Sequence, residues 1–498
     1  MSYILGLIVT FFLTPYIVRK LGASAYGFIG LSNNIISYTS LLTIALNSMS
    51  NRYIAIHYHK RDYFNANGYL ASTFYANVFI SVIIVVGMAV LTLFLDKVLD
   101  IPSGLVLDVK ILFTLLFVNA AVGLITNVFS ISTFVKNRIE KSNIRNMIGT
   151  LIRCGLLILL FALFKPELWY FGITAIIMTI YVASTNFHFY RTLTPELIIE
   201  YSKFNLGKVW ELVKSGAWNL ISSLSNLLNE GLELLLANIF ISPQIMGLLA
   251  ISKTIPTLIS SFVISLVSSF NPEYTKLYAE GRMEELKQTI LKSIRLLSFI
   301  SATPLSMIFA YGDAFYRNWL PTENTDLLYY LSCVAAFLLV FALPYQSVWY
   351  VFVLDNKLKR SSINALVNSI ITFIVVMIGM IVFKDDMMRL FILVCSRSLI
   401  SSIRCVTFLP LYGASVMKFP KFTFYRPMMM NCILVILISS VSLFIKGILI
   451  HPNWISFFCC VLVSACIGLI LSWFICLKKT DRNYLTLIVS SRIKRRNG

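Results

Sequence analysis

The sequence predicts an all-α polytopic membrane protein of about 14 transmembrane helices, arranged as two six-helix lobes related by an internal repeat plus two C-terminal helices. Three observations predict it. Of 498 residues, 58% are hydrophobic and only 13% charged, against about a quarter charged in an ordinary soluble domain. Apolar runs of about twenty residues, long enough to cross the hydrocarbon core as helices, recur along the whole chain. Finally, the stretch "YIVRKLGASAYGFIG" at 16–30 has a counterpart 220 residues later in "LANIFISPQIMGLLAISKTI" at 236–255, with Gly27 on Gly247, Ser32 on Ser252 and Ile35 on Ile255.

Apolar windows bounded by charges and turn residues place the spans near 2–18, 26–49, 70–95, 107–131, 144–164, 168–190, 216–241, 245–270, 293–312, 327–353, 362–383, 388–410, 428–447 and 454–477. Spans 1 and 2 meet at the first repeated stretch. Arg19 and Lys20 stand at the end of span 1, where they either snorkel to the interface or guard the mouth of a cavity. Gly27 permits close approach of a neighbouring helix. Spans 7 and 8 meet at the second repeated stretch, six helices later. The matching positions divide the chain into an N-terminal six-helix lobe at 1–192, an amphipathic cytoplasmic linker at 193–215, a C-terminal six-helix lobe at 216–411, two additional spans at 412–477 and a basic cytoplasmic tail at 478–498. In the linker, Phe204, Val209, Trp210, Leu212 and Val213 alternate with Lys203, Lys208, Glu211 and Lys214, as on a helix lying along a membrane surface. Residues 271–295 read as a second such helix. The first apolar run is not followed by a small-residue cleavage site, which argues against a cleaved signal peptide.

Charge sets direction. The loops after even-numbered spans, together with the C-terminal tail, carry roughly three times as many Lys and Arg as the loops after odd-numbered spans, so both termini are expected on the cytoplasmic side. The net charge of +20 follows from this bias and from the tail "SSRIKRRNG", whose expected partners are anionic lipid headgroups; no nucleic-acid partner is required. All nine cysteines lie in apolar runs without metal-ligand spacing, and the four histidines form no cluster. Neither disulfides nor a metal are expected, and no cofactor is implied.

Six charged residues fall deep inside predicted spans, away from their ends: Arg153, Glu230, Glu233, Lys253, Arg397 and Arg404. Each costs about 2.5–3.5 kcal/mol at a helix centre unless it faces water or a partner. Glu233 and Lys253 stand at equal depth on neighbouring spans, where they suit an ion pair. Glu230 lies one turn from Glu233, and Arg397 and Arg404 share a face of span 12. Four cations against two anions leave a positive surplus, suited to an anionic passenger; the alternative is a set of ion pairs that only orient helices. Asn33 and Asn34 on span 2 suit either sugar hydroxyls or helix–helix hydrogen bonds.

At this point the chain resembles a family. "PYIVRKLGASAYGFIGLSNNI", "NRYIAIHYHKRDYFNANGYLAST" with Arg52, "NEGLELLLANIFISPQIMGLLAISKTIP" with Glu233, and "NPEYTKLYAEGRMEELKQTI" followed by "PLSMIFAYGDAFYRNWL" resemble, in order and spacing, the polysaccharide flippases (Wzx-type O-antigen and capsule exporters) of the multidrug/oligosaccharidyl-lipid/polysaccharide exporter superfamily. The resemblance implies a central cavity lined by spans 1, 2, 7 and 8, and a non-enzymatic transporter of the bacterial cytoplasmic membrane. Its cargo would be a polyprenyl-pyrophosphate-linked oligosaccharide, with a polysaccharide polymerase and a chain-length regulator as partners. It also implies a short polar segment ahead of span 1, which this sequence lacks. On this reading Arg19, Asn33, Asn34, Arg52, Arg153, Lys253, Arg397 and Arg404 are the substrate-binding candidates, and Glu230 and Glu233 the coupling-ion candidates. Two other functions compete: a multidrug-type antiporter for small organic cations, which the cation surplus disfavours, and a polytopic polysaccharide polymerase. The latter needs a sizeable external loop with catalytic acids; here Asp385-Asp386 is the only paired carboxylate in the short external loops.

Overall fold

The computed structural model describes residues 2–355, 357–449, 453–478 and 481–482. Helices occupy every predicted window. They are α1 (Ser2–Leu21), α2 (Ala23–His59), α3 (Tyr63–Leu93), α4 (Val106–Thr126), α5 (Ile139–Leu163), α6 (Tyr170–Leu193), α7 (Leu206–Asn226), α8 (Leu232–Phe240), α9 (Pro243–Ser252), α10 (Thr254–Val267), α11 (Asn271–Ala279), α12 (Met283–Trp319), α13 (Thr325–Ala342), α14 (Gln346–Leu354), α15 (Leu358–Val382), α16 (Asp386–Val416), α17 (Tyr425–Leu449) and α18 (Trp454–Ile475). Among the described residues, twelve helical segments are long and apolar enough to cross a membrane. The two other windows are helical as well: α1, and the succession α7, π turn, α8.

Packing divides the chain into two compact units: Met1–Ala250 with Ser362–Phe373, and Ile251–Ser361 with Ile374–Gly498. In the first unit helices approach through small residues and bond through buried amides and hydroxyls. A Cβ on Gly216 of α7 would fall 1.9 Å from the Ala45 carbonyl oxygen of α2, so the crossing requires glycine. Asn47 and Asn77 exchange amide hydrogen bonds at 3.2 and 3.0 Å, joining α2 to α3. Ser81 donates to the Ala121 carbonyl of α4 at 3.3 Å. The first half of α15 is tied to α7 and its π turn by serines: Ser222 and Ser362 at 2.7 Å, Ser369 to the Ser225 carbonyl at 2.9 Å, and Asn229 to Ser369 at 2.5 Å. Such bonds satisfy polar groups that hydrocarbon cannot solvate.

The stretch read as a linker helix is not a separate element. Residues 206–215 are the first turns of α7, with Asn205 accepting from Gly207 N–H at 2.7 Å as the cap. No breaker separates the amphipathic turns from the span, so the helix continues. Residues 271–295 likewise divide between α11, a turn at Gly281 with φ +70°, and the start of α12.

In the second unit α12 is the central helix: 72% of its most apolar window is buried, against 17–39% for the other candidate spans. Serines and alanines on its buried faces (Ser293, Ser298, Ser301, Ala302, Ser306) admit neighbours closely. α17 is fixed along its length. Asn431 donates to the Val340 carbonyl at 2.8 Å, Ser306 donates to the Val435 carbonyl at 3.1 Å, and Lys446 pairs with Asp313 while donating to the Ala310 carbonyl at 3.0 Å. α18 is held by Tyr311 and Ser464 at 2.7 Å. Just past it, Asp481 forms a bidentate pair with Arg295 of α12, at 2.6 and 3.1 Å, with side chains 2% and 8% exposed. The sequence places Asp481 in the basic tail; the pair makes it part of the core. The rest of the tail, "SSRIKRRNG" included, lies outside the described residues.

Candidate functional site

Spans 7 and 8 are both irregular helices, and the irregularities coincide with charges. After Asn226 the helix widens into a π turn, Leu227–Gly231, which carries Glu230. Span 8 is interrupted at Lys253, a turn residue between α9 and α10. Each lies about ten residues, ~15 Å of helix, from the hairpin tip at 241–242. Single π turns and broken helices leave main-chain carbonyls without their regular partners.

The Gly231 carbonyl, at the end of the π turn, is an acceptor for a neighbouring helix. Two side chains of α2 donate to it: Tyr38 Oη at 2.5 Å and Asn34 Nδ2 at 3.2 Å. Of the two readings open for Asn34, the geometry supplies the helix–helix hydrogen bond. Asn33 points elsewhere; its amide donates to the Ile29 carbonyl of its own helix at 3.0 Å, and its side chain is exposed. Gly231 is required for this contact, because a Cβ there would stand 2.9 Å from the Tyr38 ring. One turn on, Glu233 is buried, 4% exposed, while Glu230 is exposed. The two carboxylates proposed from the sequence thus occupy different surroundings.

The repeated hairpins meet in the first unit. A Cβ on Gly27 would fall 2.9 Å from Gly247 Cα, and one on Gly247 would fall 2.1 Å from the Ala23 carbonyl oxygen. Of the residues that align across 220 positions, Gly27 and Gly247 therefore pack against one another.

The other candidates disperse. Arg19, at the end of α1, and Arg52, far along α2, are exposed and lie at opposite ends of the span 1–2 hairpin; the 29 residues from Ala23 to Arg52 cover about 40 Å of helix. Arg153 lies mid-way along α5, and its Nε is buried with no hydrogen-bond partner among the described residues. Lys253, Arg397 and Arg404 belong to the second unit and are half-buried, the two arginines two turns apart on α16.

Sequence reasoning missed Arg145. It is 6% exposed and its Nη2 donates to Ser142 at 2.8 Å, while Nε and Nη1 have no partner among the described residues. It stands one residue inside the predicted start of span 5, two turns before Arg153, and the sequence reading gave it no role. The sequence also left Asp62 unassigned. It caps α3, accepting from the side chain of Asn65 at 2.7 Å and its N–H at 3.1 Å and facing His57 at 2.9 Å; these contacts, Asn65 foremost, hold its carboxyl down at about 2.

Known proteins place this arrangement. A multidrug resistance MATE family transporter of the MOP superfamily, in an inward-facing conformation, superposes with a TM-score of 0.65 at 15% identity, over 82% of this chain and 96% of that one. The lipid II flippase MurJ, inward closed, superposes with a TM-score of 0.58 at 12% identity, over 95% of this chain and 98% of MurJ. The fold is therefore that of the MATE and MurJ transporters. In sequence, membrane protein EpsK of Bacillus subtilis (strain 168) is 26% identical over 432 residues, covering 85% of this chain and 83% of EpsK. Residues 17–316 match the polysaccharide biosynthesis protein family, and the chain is a multi-pass membrane protein belonging to that family.

Proposed function

We propose that the protein flips polyprenyl-pyrophosphate-linked oligosaccharide units across the bacterial cytoplasmic membrane by alternating access, for O-antigen, capsule or exopolysaccharide synthesis. The observation that carries this reading is the conjunction of a polysaccharide biosynthesis family match with a transporter fold also found in a lipid II flippase. The physical problem fits. A pyrophosphate with several sugars cannot enter hydrocarbon unaided, because an isolated charge there costs many kcal/mol. Cationic side chains in the spans lower that barrier while the polyprenyl tail stays in lipid. We assign this role to Arg153, Lys253, Arg397 and Arg404, with Arg19, Arg52 and Asn33 as further contacts, and we assign coupling to Glu230 and Glu233. The reading includes fourteen spans in two six-helix lobes plus two, with both termini cytoplasmic.

A multidrug-type antiporter is the second reading, favoured by the TM-score of 0.65 to a MATE transporter. The surplus of cations within the spans opposes it, since organic cations would be repelled. The test is reconstitution of the purified protein in vesicles carrying a fluorescent polyprenyl-pyrophosphate oligosaccharide in one leaflet. Protein-dependent exposure of the label in the other leaflet is expected. Export of organic cations without any movement of the lipid would replace the proposal with the second reading.

A further inference from the structure

The segment that begins α3 and the segment that begins α7 enclose a pocket of about 260 Å³, lined by Phe64, Asn65, Gly68, Lys203, Asn205 and Lys208 among others. Neither the transport reading nor the family match gives this pocket a role.

Its charge is unusual. Lys208 Nζ reaches across to α3 and donates to the side-chain and main-chain oxygens of Asn65, at 2.9 and 3.4 Å. It lies 4.9 Å from the Tyr69 ring centre and 5.8 Å from that of Phe64. Its contacts are therefore neutral, and no carboxylate among the described residues pairs with it. The acids nearby are engaged with other groups: Asp62 with Asn65 and His57, Glu211 with Tyr69 Oη at 2.5 Å. An ammonium has three donors, and two of them are used. Lys203 adds a second cation, shared with Glu200 at 3.3 Å. Burial pushes Lys208 below its ordinary value, outweighing the opposite pull of the Asp62 and Glu211 carboxylates, neither of which pairs with it directly.

The pocket also has a floor and a rim. A Cβ on Gly68 would fall 2.1 Å from Lys208 Nζ, so any side chain there would push the ammonium away. Phe64 and Phe204 line the pocket, Phe64 76% exposed, and Tyr201, stacked on Phe204, is 73% exposed. Aromatic side chains beside lysines, at the point where a spanning helix begins, are the composition of a membrane interface.

We propose that this pocket binds the phosphate of an anionic membrane lipid. Lys208 and Lys203 supply the counter-charge, and the exposed aromatic rim supplies contact with the acyl or isoprenoid chain. A free phosphate would use only the lysines; the rim argues for a phosphate carried on a lipid. The inference rests on the membrane placement of α3 and α7, and it holds whatever the protein exports.

The experiment is ligand-dependent thermal stability of the purified full chain in neutral detergent. The probes are short-chain phosphatidylglycerol, phosphatidylcholine, a polyprenyl phosphate and inorganic phosphate. Phosphatidylglycerol is expected to raise the melting temperature saturably and phosphatidylcholine to have little effect. Lys203→Gln and Lys208→Gln are each expected to weaken binding roughly five-fold, as for one lysine near an anionic surface, and Lys208→Arg to retain it. Lys203→Gln keeps the test decisive should Lys208→Gln disturb α3. A polyprenyl phosphate that competes with phosphatidylglycerol supports the site and extends it to the isoprenoid class. Equal responses to both glycerolipids, equal binding of inorganic phosphate, or unchanged affinity in the doubly substituted protein would each overturn the proposal. None of these readouts involves transport, so their failure is separate from a failure of the flippase reading.

Discussion

Arg153 and Glu233 show how far a single residue carries an argument here. Arg153 has a buried Nε without a partner among the described residues, so its guanidinium has capacity to hold an anion. Arg153→Ala is expected to lower export of surface polysaccharide about tenfold or more, equivalent to about 1.4 kcal/mol in the barrier, at unchanged protein level in the membrane; normal export at matched expression would remove Arg153 from the site. Glu233 is buried while Glu230 is exposed, which makes Glu233 the better candidate for a carboxylate whose protonation is coupled to transport. Glu233→Gln is expected to abolish the dependence of flipping on an imposed pH gradient while leaving cargo binding within about twofold, a difference of roughly 0.4 kcal/mol. Gradient-driven flipping unchanged in that variant would assign Glu233 a purely structural role. These residues are legible in the sequence because charge in an apolar run is conspicuous. That Asn34 bonds to a main-chain carbonyl is not, because the acceptor at Gly231 lies 197 residues away.

At the scale of elements, the hairpins of spans 1–2 and 7–8 are joined where Gly27 faces Gly247. The sequence aligns these two stretches by three identities; that Gly27 and Gly247 touch was not legible, since periodicity says which face is small but not what it meets. The contact makes a direct demand on side-chain volume. Gly247→Val would drive its branched carbons into the Ala23 carbonyl, which a Cβ alone would approach to 2.1 Å. Overpacking of this kind costs about 1–3 kcal/mol, and a matching loss of thermal stability in detergent is expected, with Gly447→Val, open on all sides within 4 Å, as the unaffected comparison. Equal melting temperatures for the two variants would show that the hairpins separate freely. Element boundaries were legible to within a few residues for most apolar windows, but α2 runs ten residues past its window and α12 starts ten residues before its own, and 193–215 and 271–295 were least legible. There amphipathic turns continue into spans, and composition changes where the helix does not.

For the whole molecule, direction across the membrane is the largest claim that rests on charge alone. In a cysteine-free background, Ser491→Cys is expected to resist an impermeant maleimide in intact cells and Thr322→Cys to react with it. The reverse pattern would invert every inside and outside assignment. A second whole-chain expectation concerns the pair that joins Arg295 to Asp481. Removing one partner strands a buried charge, so Arg295→Met is expected to cost about 3–5 kcal/mol, with much of it recovered in Arg295→Met/Asp481→Leu; melting curves that fail to separate the single from the double variant would show that the pair is solvated. Nothing in the sequence signals this pair, because the two residues lie 186 positions apart and Asp481 stands among Lys and Arg.

That separation also orders events in time. Arg295 leaves the ribosome long before its counter-ion exists. At about 5–20 residues per second, the intervening chain takes roughly 10–40 s to synthesise. Throughout that interval α12 is in place with a charge that nothing yet neutralises, and the second unit can close only after the last span has been inserted. A chain released before Asp481 is made carries Arg295 on α12 without the carboxylate that pairs with it in the finished fold.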